Sequence, residues 1–212
     1  MAAYSLKSSL KEVESSLSGQ LERRERLLKE SRDVISSCSR AIISVHAGKM
    51  AEALKELRAA RAKLEPLRMF GEGQLSRYLV SPETEFVEAS TVIALAKGRP
   101  VPTRSSLGAS PEAYLLGLLD TVGELKRLVL NSIMKGDVSA ANRHFQSMEL
   151  LYSVCSPLAV FDHVASGARR KIDVARMLVE DTRGVMTEEL RRESLTASMQ
   201  GLEKRLDRRS RD

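Results

Sequence analysis

The chain has 212 residues, 42% of them hydrophobic, which is enough for a hydrophobic core and excludes a chain that is disordered throughout. Its formal net charge of +6 favours an anionic partner such as nucleic acid. The N-terminal residues lack an apolar core of signal-peptide length, and no run approaches the ~20 uncharged apolar residues of a membrane span. We therefore expect a cytoplasmic protein with no membrane association.

The N-terminal half is predicted to be helical, because apolar residues recur at steps of three and four. A long amphipathic helix is expected over residues 4–46. A second helix is expected over residues 50–64, stopping before Pro66, which cannot continue the backbone hydrogen bonding of a helix. A third helix is expected over residues 74–98, disturbed near Pro82.

The middle of the chain contains clear helix boundaries. Residues 98–110 are rich in Pro, Gly and Ser, which predicts a loop. Ser110 as N-cap and Pro111 as first helical residue are typical of a helix start. The central helix that follows includes residues 114–134, is apolar on almost every side and is expected to be buried. Asp137 is predicted to cap the next helix.

The C-terminal part is predicted to form two helices, one over residues 168–184 that ends at Gly184 and one that begins at Thr187. Its basic end, residues 204–212, is expected to fray. No interdomain linker and no repeat is visible. The sequence therefore predicts one all-α domain of about seven helices that spans residues 1–212.

The sequence contains few residues suited to thiol or zinc chemistry. Cys38 and Cys155 lie far apart without CxxC spacing, which predicts reduced, partly buried thiols. His46, His144 and His163 show no zinc-ligand spacing, so a zinc site is not expected.

Two acidic pairs occur within the otherwise apolar third and central helices. Glu85 and Glu88 are three residues apart, and Asp120 and Glu124 are four apart, so each pair shares one helix face. Spacing alone leaves two interpretations open. Either the pairs lie on solvated faces, with Glu124 pairing with Arg127, or the four carboxylates converge on a divalent cation. A cation such as Mg²⁺ takes oxygen ligands and can activate water to attack a phosphodiester.

Four segments, in order along the chain, resemble the translin family in its translin-associated factor X (TRAX) branch and its archaeal relatives. They are RERLLKESRDVISSCSRAIISVHAG, EFVEA, SPEAYLLGLLDTVGELKR and ARRKIDVARMLVEDTRG. The similarity runs from about Glu22 to Glu193. It implies a seven-helix all-α fold and closed, hollow oligomers, often octamers. It also implies binding of single-stranded or structured RNA and of single-stranded DNA.

The resemblance further implies a catalytic site. The TRAX branch is a Mg²⁺-dependent endoribonuclease that carries an E-x-x-E pair and a D-x-x-x-E pair, whereas translin is a scaffold that lacks most of them. This chain matches the nuclease branch at all four positions, Glu85, Glu88, Asp120 and Glu124. The resemblance implies that these residues bind Mg²⁺, with Mn²⁺ as a substitute, and that Glu124 either completes the ligand shell or orients the attacking water.

Arg40 and Arg127 are predicted to hold RNA phosphate, and a salt bridge to the same carboxylates is the alternative role for both. The chain departs from the TRAX pattern at Ser39, where that pattern has a Lys that contacts RNA. A homo-oligomer is expected, because a chain with all four acidic residues needs no second protein for catalysis. The alternatives are a non-catalytic, translin-like binder of single-stranded RNA or DNA, and a helical adaptor that binds only proteins.

Overall fold

The structure, a computed structural model, describes residues 2–71 and 73–209. These residues form seven α-helices: α1 Ala2–His46, α2 Met50–Phe70, α3 Val80–Ala96, α4 Arg104–Leu107, α5 Pro111–Met134, α6 Val138–Cys155 and α7 Ala168–Arg209. Two 3-10 helices span Gly73–Tyr78 and Ser156–Phe161. The predicted all-α fold class is confirmed. No helix in the described ranges combines the length and apolar character that a bilayer span requires.

The described residues divide into two compact units. The first contains the residues up to Ser90 together with Thr103–Gly117, and α1 packs along α2 within it. The second contains Thr91–Pro102 and the residues from Leu118 onward, and α6 packs on α7 within it. The prediction of one domain over residues 1–212 depends on how these two units are joined, and it stays a prediction.

The core of the first unit uses only the second half of α1. Buried side chains of that helix begin at Leu27 and end at Val45. On α2 they follow at helical spacing, and they are Ala53, Ala60, Leu64 and Leu67. The amphipathic pattern of α1 continues towards its N-terminus, but there its apolar side chains are exposed.

The prediction that the second helix stops before Pro66 is wrong, because α2 continues through Pro66 to Phe70. A proline inside a helix costs about 3 kcal/mol. Full burial of Leu67 returns about 1.5–3 kcal/mol. Arg68 adds hydrogen bonds to Glu83 (2.8 Å) and to the carbonyl of Leu107 (2.9 Å). Long-range packing therefore outweighs the local break.

Two further boundaries differ from the sequence prediction. α3 begins at Val80 and not near residue 74, and the preceding residues form a 3-10 helix. Pro82 lies in the first turn of α3, where a backbone N–H has no helical acceptor to lose. The expected loop over residues 98–110 contains the short helix α4, capped by the Thr103 side chain, which accepts from the N–H of Ser106.

The two predicted caps are confirmed. The Ser110 hydroxyl accepts from the N–H of Ala113 at 3.3 Å, at the start of α5. The Asp137 carboxylate accepts from the N–H of Ala140 at 2.8 Å, at the start of α6. Both interactions join residues three apart, so a sequence motif contains all the information that they need.

The predicted break at Gly184 is wrong, because α7 is one helix from Ala168 to Arg209. A glycine inside a helix costs only about 1 kcal/mol. Thr182 and Met186, on either side of it, are buried, so packing holds the helix together there. The expected frayed tail is helical over residues 204–209, and residues 210–212 lie outside the described residues. The predicted number of about seven helices is confirmed for the described residues. The short helix α4 was not predicted, but the two predicted C-terminal helices form the single helix α7.

Candidate functional site

The acidic pair of α3 lies in an apolar segment of the first unit. Glu85 and Glu88 are both half-buried, and their neighbours Phe86, Val87 and Ala89 are buried. The sequence left open whether these carboxylates lie on a solvated face. Both side chains are shielded from solvent only in part, so the two interpretations of the sequence stay open.

The thiol of Cys38 on α1 interacts electrostatically with both carboxylates. Burial of Cys38 raises its pKa most, and the negative charges of Glu85 and Glu88 raise it further, to about 12. Glu85 and Glu88 therefore both act electrostatically on one buried side chain of α1 within the first unit.

α5 makes a backbone approach to α3 within the same unit. A Cβ atom at Gly117 would lie 2.6 Å from the carbonyl oxygen of Thr84 and 2.7 Å from the Cβ of Val87. Only glycine leaves room for that approach, so Gly117 sets how closely the start of α5 packs on α3. We call this contact the α3–α5 crossing.

The second acidic pair follows on α5, and both Asp120 and Glu124 are half-buried. Within the second unit, the ammonium of Lys171 on α7 forms an ion pair with the carboxylate of Asp120. Lys171 is not among the site residues predicted from the sequence. The two residues are 51 positions apart, and no local pattern connects them. A positive charge therefore already stabilises one of the four predicted ligands.

The donor chemistry of these residues suits a hard cation, because Mg²⁺ is bound by one or two carboxylates, waters and substrate phosphates. Among the described residues, however, no group of three or more His, Cys, Asp or Glu side chains is arranged to hold a metal ion. The Mg²⁺ site stays a prediction. Convergence of Glu85 and Glu88 with Asp120 and Glu124 involves both units and also stays a prediction.

The two arginines that the sequence assigns to phosphate are exposed. The guanidinium of Arg40 forms an ion pair with Glu56 at 2.8 Å and donates to the hydroxyls of Ser36 and Ser37. These bonds hold Arg40 beside α2. Arg127 lies on α5, and its role in RNA binding stays a prediction.

A basic cleft of about 410 Å³ lies in the second unit, and the sequence analysis missed it. Arg99, Arg143 and His144 contribute to its lining. Burial lowers the pKa of His144, and the charge of Arg143 lowers it further, although Asp137 opposes this shift. A neutral imidazole beside two arginines can accommodate a phosphate-sized anion. Because Arg99 lies in a different segment from the adjacent Arg143 and His144, no charge cluster in the sequence marks the cleft.

Comparison with known proteins gives consistent matches. The family model described as the Translin family matches residues 72–182. An uncharacterized protein of Methanocaldococcus jannaschii, MJ0175, is 34% identical over 168 residues, which is 76% of this chain and 73% of that protein.

Solved structures add a match in three dimensions. The structure of an AfC3PO–duplex RNA complex matches with a TM-score of 0.78 and 30% identity, over 85% of this chain and 95% of that chain. A crystal structure of AfC3PO matches with a TM-score of 0.75 and 30% identity, over 85% and 96% of the two chains.

Proposed function

This chain belongs to the translin family, and we propose that it is an RNA-binding homo-oligomer that acts as a Mg²⁺-dependent endoribonuclease. One observation carries the RNA-binding part, namely the similarity to AfC3PO, which has been solved in complex with duplex RNA. The nuclease part depends on the two acidic pairs of α3 and α5. Single-stranded RNA and single-stranded DNA are further ligands to test.

The α3–α5 crossing supports the proposal that the two acidic pairs form one site. Asp120 and Glu124 follow Gly117 by three and seven residues, so helix periodicity puts them on the same side of α5 as Gly117. Glu88 follows Thr84 by four residues and therefore lies one turn further along the contacting face of α3. The convergence of all four carboxylates on one cation is part of this proposal.

Each of the four carboxylates has a role in the proposed reaction. Glu85, Glu88 and Asp120 would bind the cation, and Glu124 would complete the ligand shell or orient the water that attacks phosphorus. A bound Mg²⁺ would supply Lewis-acid chemistry at the phosphodiester. Lys171 positions Asp120 through their ion pair. Attack by water forms a new P–O bond while the bond to the leaving oxygen breaks.

The test is the cleavage of a labelled single-stranded RNA by Glu88→Gln. The amide keeps the size of the side chain but removes its charge, so we expect cleavage in Mg²⁺ to fall by more than about 100-fold. RNA binding should be retained, and EDTA should abolish the wild-type reaction.

Glu52→Gln is the matched control, because Glu52 is exposed and forms an ion pair with the surface cation of Lys49 at 3.7 Å. Its cleavage rate should equal that of wild type. Unchanged turnover of Glu88→Gln at saturating Mg²⁺ would refute the assignment of this residue.

A second candidate is a translin-like binder without catalysis. The ion pair between Lys171 and Asp120 favours it, since that carboxylate already has a positive partner without any metal. RNA binding with no cleavage in Mg²⁺ or Mn²⁺ would establish this function in place of the nuclease.

A further inference from the structure

The first turns of α1 carry an exposed apolar row. Leu6, Leu10, Val13 and Leu17 are between 51% and 61% exposed. No side chain within residues 6–26, all of which the structure describes, is buried. These four side chains are called the N-terminal stripe below. They are too regular in spacing to be scattered surface residues. Leu21, which is also 53% exposed, follows Leu17 by four residues and not by three, so it lies beside the stripe and is not part of it.

The spacing of the stripe is that of a helix–helix seam. Its members follow one another at steps of four, three and four, which are the steps of the apolar positions in a coiled coil. A 4-3-4 row reads the same from either end. It is therefore self-complementary when two copies pair in opposite directions, as an isologous contact requires.

We propose that the N-terminal stripe pairs antiparallel with the same stripe of a second copy of this chain. In this pairing Leu6 of each copy faces Leu17 of the other, and Leu10 faces Val13. The twofold axis passes between residues 11 and 12, so every member of the stripe is covered. This contact does not depend on the proposed nuclease or on RNA binding.

The charges beside the stripe select the partner and its direction. Lys7 and Glu14 are exposed, lie seven residues apart and flank the same side of the stripe. Antiparallel pairing places Lys7 of each copy beside Glu14 of the other, which gives two opposite-charge pairs. A parallel pairing would not bring these two charges together.

A second exposed apolar row, near the C-terminal end of α7, is the alternative partner for the N-terminal stripe. Its members, which are 56–62% exposed, are Leu195, Met199, Leu202 and Leu206. Docked on the N-terminal stripe of a second copy, it would place Lys7 beside Glu203 but Glu14 beside the uncharged Thr196. Charge complementarity therefore favours self-pairing, with two opposite-charge pairs against one.

The paired segment is short. From Leu6 to Leu17 the stripe spans about 17 Å of helix, and isolated helices of this length are marginal in water. The contact gains strength when other surfaces already hold the two chains near each other. Disulfide trapping therefore tests this contact better than a measurement of the mass of the assembly alone.

The test uses disulfide trapping in the full-length protein. Leu10→Cys and Val13→Cys chains are mixed while reduced and then oxidised, and the mixed dimer is measured on non-reducing gels. We expect at least about tenfold more covalent dimer than from a mixture of Ser8→Cys and Ser15→Cys, whose thiols sit on the opposite face and cannot approach. The native Cys38 and Cys155 are buried and do not compete.

Charge reversal identifies the partner. Lys7→Glu and Glu14→Lys, each added to the cysteine variants, should each lower trapping at low salt, and the double reversal should restore it. Equal trapping by the outer-face control, or failure of the double reversal to restore it, overturns the proposal. Efficient trapping of Leu10→Cys by Leu202→Cys with none by Val13→Cys also overturns it and assigns the contact to α7.

Discussion

Single residues around α3 combine burial with charge. Glu83 is buried, and its two carboxylate oxygens accept from Arg68 at 2.8 Å and from the backbone N–H of Ser110 at 2.9 Å. This network ties the end of α2 and the cap of α5 to the first turn of α3. It thereby fixes the helix that carries Glu85 and Glu88. No local sequence pattern identifies Glu83, because its partners lie 15 and 27 residues away.

The raised pKa values of the two thiols predict a loss of stability at alkaline pH. The pKa of the Cys38 thiol is raised from 9.0 to about 12, and burial raises the pKa of the Cys155 thiol to about 11. Below pH 9 both thiols are protonated in the folded and unfolded chain. Above pH 9 the unfolded chain releases these protons first, so each thiol lowers the free energy of unfolding by up to about 1.4 kcal/mol per pH unit.

Urea unfolding between pH 8 and pH 10.5 tests this prediction. Cys38→Ser should show a shallower decline of the free energy of unfolding with pH than wild type. Cys155→Ser is the comparison. The decline of its free energy of unfolding with pH should also be shallower over this range, because the pKa of the Cys155 thiol is raised as well. Identical slopes for wild type and both variants would contradict the predicted protonation of these thiols.

Among the helices, the α3–α5 crossing makes two glycines of α5 behave differently. At Gly117 a Cβ would lie 2.6 Å from the carbonyl oxygen of Thr84, whereas at Gly123 the nearest atom, on Leu178, would be 3.9 Å away. Gly117→Ala should therefore lower the free energy of unfolding by about 1–3 kcal/mol, because the backbone of α3 must shift. Gly123→Ala should raise it by up to about 1 kcal/mol through helix propensity.

Thermal or urea unfolding of the two variants measures this difference. Because both substitutions add one methyl group to the same helix, propensity is matched and only the surroundings differ. Equal stabilities would show that α5 does not approach α3 at Gly117.

The helices also show which features local sequence can predict. Ser110 and Asp137 were identified correctly, since a cap joins residues three apart. Pro66 and Gly184 were interpreted as helix ends, but packing carries α2 and α7 past them. Local penalties of about 1–3 kcal/mol are visible in a sequence, whereas the burial that offsets them depends on the folded chain.

The same distinction applies to the candidate site. Each acidic pair was found because a helix places residues three or four apart on one face. Lys171 was missed as the partner of Asp120, and Arg99 and Arg143 were missed as neighbours in one cleft. These relations join distant parts of the chain, and one sequence alone carries no signal for them.

For the whole molecule, net charge bears on how RNA would be held. The chain carries 34 Lys and Arg against 28 Asp and Glu, and aromatic residues make up only 4% of it. Proteins that recognise single strands by stacking need aromatic platforms, which are scarce here. Binding that depends on phosphate contacts is therefore expected to dominate, and its strength should depend on the ions that RNA releases.

RNA affinity should consequently fall steeply with salt, with the logarithm of the association constant linear in the logarithm of salt concentration. Arg143→Gln removes a charge from the basic cleft and should reduce this slope by about 1. Arg183→Gln makes the same change in charge, but Arg183 is ion-paired with Glu149 at 2.7 Å, so its slope should stay closer to that of wild type.

Fluorescence anisotropy measures the slopes of wild type and of both variants. The salt concentration is varied from about 50 to 300 mM, a range in which counterion release dominates the salt dependence. If wild-type binding is insensitive to salt, phosphate contacts do not drive it. If the two variants share one slope, the basic cleft is not part of the RNA interface.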